Sequence, residues 1–291
     1  MIEVQDFWKT TWRSVLVAFG YVMGLMLAGI LAGMMGVQMA ASTRNDAAFT
    51  WLFIASILLG VILGPLASRL TFTRDQHFIL WWSLIFFNLG SVAIEGAFFV
   101  PQLVSIPIPV LFAQQALASA GAALVIVLTF AAVGKPVLSW IDAFRTRLWY
   151  SWLWRFSLSS FSYLVFYFLF GALNYSLVTK PYYESHAGGL TTPAPELVLM
   201  AELVRAPLIV VSILLFLLSV RGPKRQLMVK TGWLLFAIGG IVPLVLQISS
   251  LPLLLLAASA VEIFLQNFLT GAVAAWLMGI QDKDLHHDSN L

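Results

Sequence analysis

The sequence predicts an all-α polytopic membrane helical bundle of about eight transmembrane helices, with the N and C termini cytoplasmic. Three observations carry this: the composition, the lengths of the apolar runs, and the one-sided placement of basic and tryptophan residues. Of 291 residues, 60% are hydrophobic and only 10% are charged, and the mean hydropathy is +0.92. A soluble domain carries about a quarter charged residues. A water-soluble chain of this size could not hide so much apolar surface. Lipid removes the conflict, and the counting unit becomes a span of roughly 20 apolar residues. Residues 1–291 read as a single membrane domain.

The apolar runs are 14–38, 48–68, 78–100, 109–133, 153–178, 197–220, 231–250 and 253–279. Period-two alternation is absent, and irregular backbone in hydrocarbon is too costly, so each run is read as a helix. The first is preceded by Lys9 and Arg13 and followed by Met39-Ala40-Ala41, which mimics a signal peptide. It is longer than a signal h-region, and its Gly20-x3-Gly24 and Gly29-x3-Gly33 spacings suit helix packing, so a retained helix is expected. Between the fourth and fifth runs, Val137, Ile141, Phe144, Leu148 and Trp152 follow helical spacing beside Arg145 and Arg147. This makes 136–152 a candidate cytoplasmic interfacial helix, or else a long lead-in to the fifth span. The stretch 231–279 is two spans long, and Pro252 is a natural place to turn.

Basic residues test the topology independently. Twelve fall at the N-terminus, in the loops after spans 2, 4 and 6, and in the tail at Lys283, against two, Arg44 and Lys180, on the other side. That bias places the first set in the cytoplasm. Ten tryptophans, from Trp8 to Trp276, fall near the same interface, with only Trp51 near the outer one. The expected location is the bacterial cytoplasmic (plasma) membrane. The loops at Arg69/Arg74 and Arg221/Arg225 lie about half a chain apart, as do Pro101 and Pro252. A parallel four-plus-four repeat would produce that pattern.

Charged residues inside a span are costly and usually face protein or a water-filled cavity. Glu95 in span 3, Glu202 and Arg205 in span 6, and Glu262 in span 8 meet that description. Asn88, Ser91 and Glu95 share one face of span 3, and Ser259, Glu262 and Gln266 repeat the spacing on span 8, with Thr270 extending it. Glu202 and Arg205 are three apart, close enough for an ion pair. Arg155 is less informative because it can snorkel to the interface. On this topology Asn88 and Glu262 lie near the midplane, Arg205 slightly outside it, and Glu95 and Glu202 nearer the outer surface. The expected site is a polar cavity in the outer half of the bilayer, formed by Asn88, Glu95, Glu202, Arg205, Glu262 and Gln266. The competing structural reading is that Arg205 merely ties helices together.

Several chemistries are disfavoured. The absence of cysteine removes disulfides, thiolate metal sites and cysteine nucleophiles. All four histidines (His77, His186, His286, His287) fall in expected loops or the tail, which disfavours haem between spans. No lysine lies centrally in a span, and zinc-helix, phosphate-loop and nucleophile-elbow motifs are missing. No catalytic residue, metal or cofactor is expected. The expected partners are the lipid bilayer, a small-molecule or lipid ligand, and a membrane-protein partner, with no nucleic acid.

Three functions fit. The first is a transporter or binding protein for a small or amphiphilic molecule, with Arg205 attracting an anionic group and Glu95 and Glu262 binding a cation or exchanging protons. The aromatic fifth span, Phe161 to Tyr175, could suit a lipid tail or face lipid directly. The second is a non-catalytic subunit or assembly factor of a membrane complex. The third is a lipid-modifying enzyme using Glu262 or Glu95 as acid–base. A capping role for the loop from Thr179 to Glu196, with Tyr182, Tyr183 and His186, fits no better than a plain connector.

Overall fold

The computed structural model describes residues 4–37, 46–99, 106–135, 139–185 and 194–280. The first half holds α1 (Val4–Met34), α2 (Asp46–Ala67), α3 (Arg74–Phe99) and α4 (Ile108–Thr129). After a short α5 (Trp140–Arg145), α6 (Trp149–Asn174) runs through a π turn (Tyr175–Thr179) into α7 (Lys180–Glu184). Next come α8 (Pro195–Ser219) and α9 (Lys224–Phe236), which runs through a second π turn (Ala237–Ile241) into α10 (Val242–Leu246); α11 (Leu253–Met278) follows. Among the described residues, eight helical stretches are long and apolar enough to cross a membrane, so the class is all-α and fits a multi-pass protein.

Both π turns precede a proline. Pro181 and Pro243 lack an N–H, and their rings would clash with the carbonyl four residues back. Widening the turn moves that carbonyl away. The residue before each proline then donates five residues back, Lys180 to the Tyr175 carbonyl and Val242 to the Ala237 carbonyl. The fifth stretch therefore continues to Glu184 instead of stopping at 178. The seventh both starts and ends earlier than expected, at Lys224–Leu246 instead of 231–250. Pro252 breaks the chain as expected, in extended conformation at φ −56° and ψ 142°.

Other expectations are corrected. The stretch 136–152 is not one helix. Ser139 caps α5 by accepting from the Asp142 N–H, and Leu148 is extended at ψ 146°, so α6 starts afresh at Trp149; 136–138 lie outside the described residues. His77 is not in a loop but in α3, fully buried. Of the ten tryptophans, Trp81 and Trp152 are core residues, whereas Trp8, Trp149, Trp233 and Trp276 are among those exposed. Gly20 and Gly24 pack tightly, but Gly29 and Gly33 face open space. His186 and His286 to His287 lie outside the described residues, as do Met39-Ala40-Ala41, Arg44, Pro101 and Lys283.

The packing pairs recur between halves. Span 1 packs on spans 2 and 4, and span 3 on span 4; likewise span 5 packs on spans 6 and 8, and span 7 on span 8. Between halves, span 3 meets span 6 and span 7 meets span 2. Short parallel pairings complete the match: Thr71–Phe72 with Ala132–Val133, after spans 2 and 4, and Arg221 with Ile280, after spans 6 and 8. Helix ends leave backbone groups without intrahelical partners, and these pairings satisfy some of them. The pattern of pairings is the one that a parallel four-plus-four repeat would give.

The end of the bundle carrying these pairings is tied down by polar contacts. His77 Nε2 lies 3.2 Å from the Ala132 carbonyl, and Trp81 Nε1 donates to His77 Nδ1 at 3.3 Å. Arg147 donates to the Met278 and Gly279 carbonyls at 3.0 Å, and Arg155 donates to that of Leu277. Two guanidiniums thus cap the last helix where its exposed carbonyls carry partial negative charge.

Candidate functional site

Arg205 lies one turn beyond Glu202 on α8 and is almost fully buried. Its Nη1 donates to Glu202 Oε1, and its Nη2 stands 2.7 Å from Glu95 Oε2 on α3. The guanidinium carbon sits 5.9 and 5.7 Å from the ring centroids of Tyr163 and Tyr167 on α6. One cation therefore joins α3, α6 and α8. Glu202 is wholly buried, with Arg205 and Tyr163 as its polar neighbours.

Glu262 on α11 is held differently. Asn174 Nδ2 donates to Oε2, and Gln266 Nε2 donates to Oε1 at 2.8 Å. Among the described residues no basic group forms an ion pair with it. Glu95 has its oxygens beside Arg205 and, at 3.5 Å, the Tyr167 hydroxyl, and its side chain remains one-third exposed.

These groups surround a cavity of about 410 Å³, within the size range of small-molecule sites. Its lining comes from α3, α6 to α8, and the stretch from the second π turn to α11. Gly239 in the π turn matters because a side chain there would collide with Asn88, 2.6 Å from its Oδ1 and 3.2 Å from Asn267 Nδ2. The missing side chain leaves both amides facing the cavity. Asn88 is 2% and Asn267 7% exposed, and neither side chain has a hydrogen bond to a described residue. Apolar walls come from Val92, Ile209, Leu244 and Ile263.

Five of the six expected site residues, Asn88, Glu95, Arg205, Glu262 and Gln266, line this one cavity. Glu202 does not; it lies behind Arg205. Ser91, Ser259 and Gln247 also line it, whereas Thr270 is buried and bonded to the Gln266 carbonyl. Tyr163, Tyr167, Asn174 and Asn267 were not singled out from sequence. The tyrosines are four apart on one face of an aromatic run whose other face, with Phe161 and Phe168, is exposed. Their spacing was the available signal. Both terminal nitrogens of Arg205 meet carboxylates, so the guanidinium neutralises charge within the protein.

Comparison with family models, characterised proteins and solved structures finds no match to this chain. Fold and site define it by class alone: an all-α, multi-pass type of protein with an amphiphilic internal cavity near one end of the bundle.

Proposed function

We propose that the chain is an integral membrane transporter or binding protein for a small or amphiphilic molecule. The ligand occupies the cavity, in the outer half of the bilayer of a bacterial plasma membrane, with both termini cytoplasmic. The observation that carries this reading is a void bordered by two carboxylates and by Asn88 and Asn267, whose buried side chains make no hydrogen bond to a described residue. A purely structural ion pair would be packed dry, because unpaired polar groups away from water cost free energy. The membrane orientation rests on the positive-inside bias. The lining residues then lie toward the outer loops: Glu95 late in α3, Tyr183 in α7, and Ser259 and Glu262 early in α11.

The chain has no cysteine, so a single introduced thiol is a clean probe. Ser259→Cys in intact cells should react with a membrane-impermeant thiol reagent added outside, and native mass spectrometry should find a bound small molecule. An unreactive thiol together with an empty protein that copurifies with a stoichiometric membrane partner would replace this reading with that of a non-catalytic subunit.

A further inference from the structure

Resting on the proposed ligand cavity, we infer that its ligand carries a positive charge, an ammonium or similar organic cation, which sits against Glu262 and within reach of Glu95. The inference follows from which charges are already met. Arg205 is the one cationic side chain in the lining, and Glu202 and Glu95 engage both of its terminal nitrogens. Glu262 has only amide donors, Asn174 and Gln266. Glu95 and Glu262 line the cavity, and the one cation of the lining is already shared between Glu95 and Glu202. An anion entering it would have to compete with Glu95 and Glu202 for a guanidinium already paired at both terminal nitrogens. A cation would meet a carboxylate short of a counter-charge.

The remaining lining suits an organic cation better than a bare metal ion. Tyr167 and Tyr183 bring aromatic rings into the lining, a surface that attracts an ammonium group. Asn88 and Asn267 add amides to the lining, to meet a hydroxyl or carbonyl of the same ligand. The apolar walls at Val92, Leu244 and Ile263 would cover its hydrocarbon part. A hard metal ion would demand an all-oxygen shell at short, regular distances, which this roomy, half-apolar cavity does not supply.

Calorimetry on the purified full chain in nanodiscs tests this with three probes of nearly one shape: benzyltrimethylammonium, the neutral neopentylbenzene, and benzylsulfonate. The cation should bind saturably, at least tenfold more tightly than either of the others, and Glu262→Gln should weaken it at least tenfold. In parallel, Ser259→Cys should react at least tenfold faster with a cationic than with an anionic methanethiosulfonate, corrected for their rates with a free thiol. This second measurement stands if Glu262→Gln fails to fold. Binding of the neutral or anionic probe without preference for the cation would overturn the inference and leave the cavity reading intact. Failure of the cation to bind would also overturn it, and an unreactive Ser259→Cys would then remove the cavity reading as well.

Discussion

Spans 1 and 4 in the first half occupy the place that spans 5 and 8 occupy in the second, and the two pairs do opposite things. Both contain a tyrosine on the earlier span and two polar residues four apart on the later one. In the first pair the Tyr21 hydroxyl donates to Gln115 Oε1 at 3.0 Å, and Gln115 Nε2 donates to Ser119 Oγ at 3.1 Å. That trio is neutral, closed on itself and buried. In the second pair Tyr167, Glu262 and Gln266 border the cavity instead. The difference begins at the backbone. Gly20 and Gly24 bring α1 against α4 so closely that a Cβ on either would lie 2.6 or 2.3 Å from a carbonyl of Gly121 or Leu117. The single glycine of α6, Gly171, meets only the Glu262 carboxylate, at 3.3 Å. Similar helix pairs therefore make a sealed seam or a cavity wall according to whether small residues let the backbones touch.

The largest expected effect is on the charged half. Arg205→Ala strands Glu202, fully buried with no other cation in contact, and breaking a buried pair by removing one partner costs about 3–5 kcal/mol. Thermal unfolding of the purified protein should show a loss of that size, or no folded protein at all. An unchanged transition would mean that Glu202 does not depend on Arg205, and the contrast between the charged half and the neutral, sealed half would break. The sealed half should respond next. Gly121→Ala puts a Cβ 2.1 Å from the Gly20 carbonyl oxygen, and two backbones must separate to admit it. Overpacking of this kind costs about 1–3 kcal/mol. The same unfolding measurement checks it, and a neutral result would mean that the seam is not closed.

How much of this was legible in the sequence depended on whether the cause was local. The spans were readable because apolar length is a property of each run by itself. The polar faces at Asn88, Ser91 and Glu95 and at Ser259, Glu262 and Gln266 were readable because helical spacing alone puts them together. Glu95 and Glu202 looked alike in sequence. Their difference, one at the cavity and one behind Arg205, depends on what α3, α6 and α8 place around them. Pro181 read as part of the loop after the fifth span and Pro243 as an ordinary residue of the seventh, because nothing local says that a π turn will precede each of them. His77 was a missed local signal. Thr73 and Gln76 bond reciprocally, Gln76 N–H to Thr73 Oγ1 and Thr73 N–H to Gln76 Oε1. That is a capping box, which starts α3 at Arg74 and draws His77 into it.

The smallest expected effect is the sharpest control on the comparison. Gly171→Ala makes the chemical change of Gly121→Ala, on a long helix again, at the seam between spans 5 and 8. Its new Cβ would stand 3.3 Å from Glu262 Oε1 and near no other atom within 4 Å outside its own helix, so only the tip of a flexible side chain must give way. Removing a helix-interior glycine recovers roughly 0.5–1 kcal/mol, which offsets that small displacement. Stability should therefore stay within about 0.5 kcal/mol of the parent, as for substitutions away from tight packing. If Gly171→Ala instead destabilises the protein as much as Gly121→Ala does, α6 and α11 are held as tightly as α1 and α4. The cavity would then owe its existence to the Gly239 π turn and not to the looser seam. If it is neutral in unfolding but alters binding of benzyltrimethylammonium, the displaced Glu262 carboxylate is the group the ligand feels.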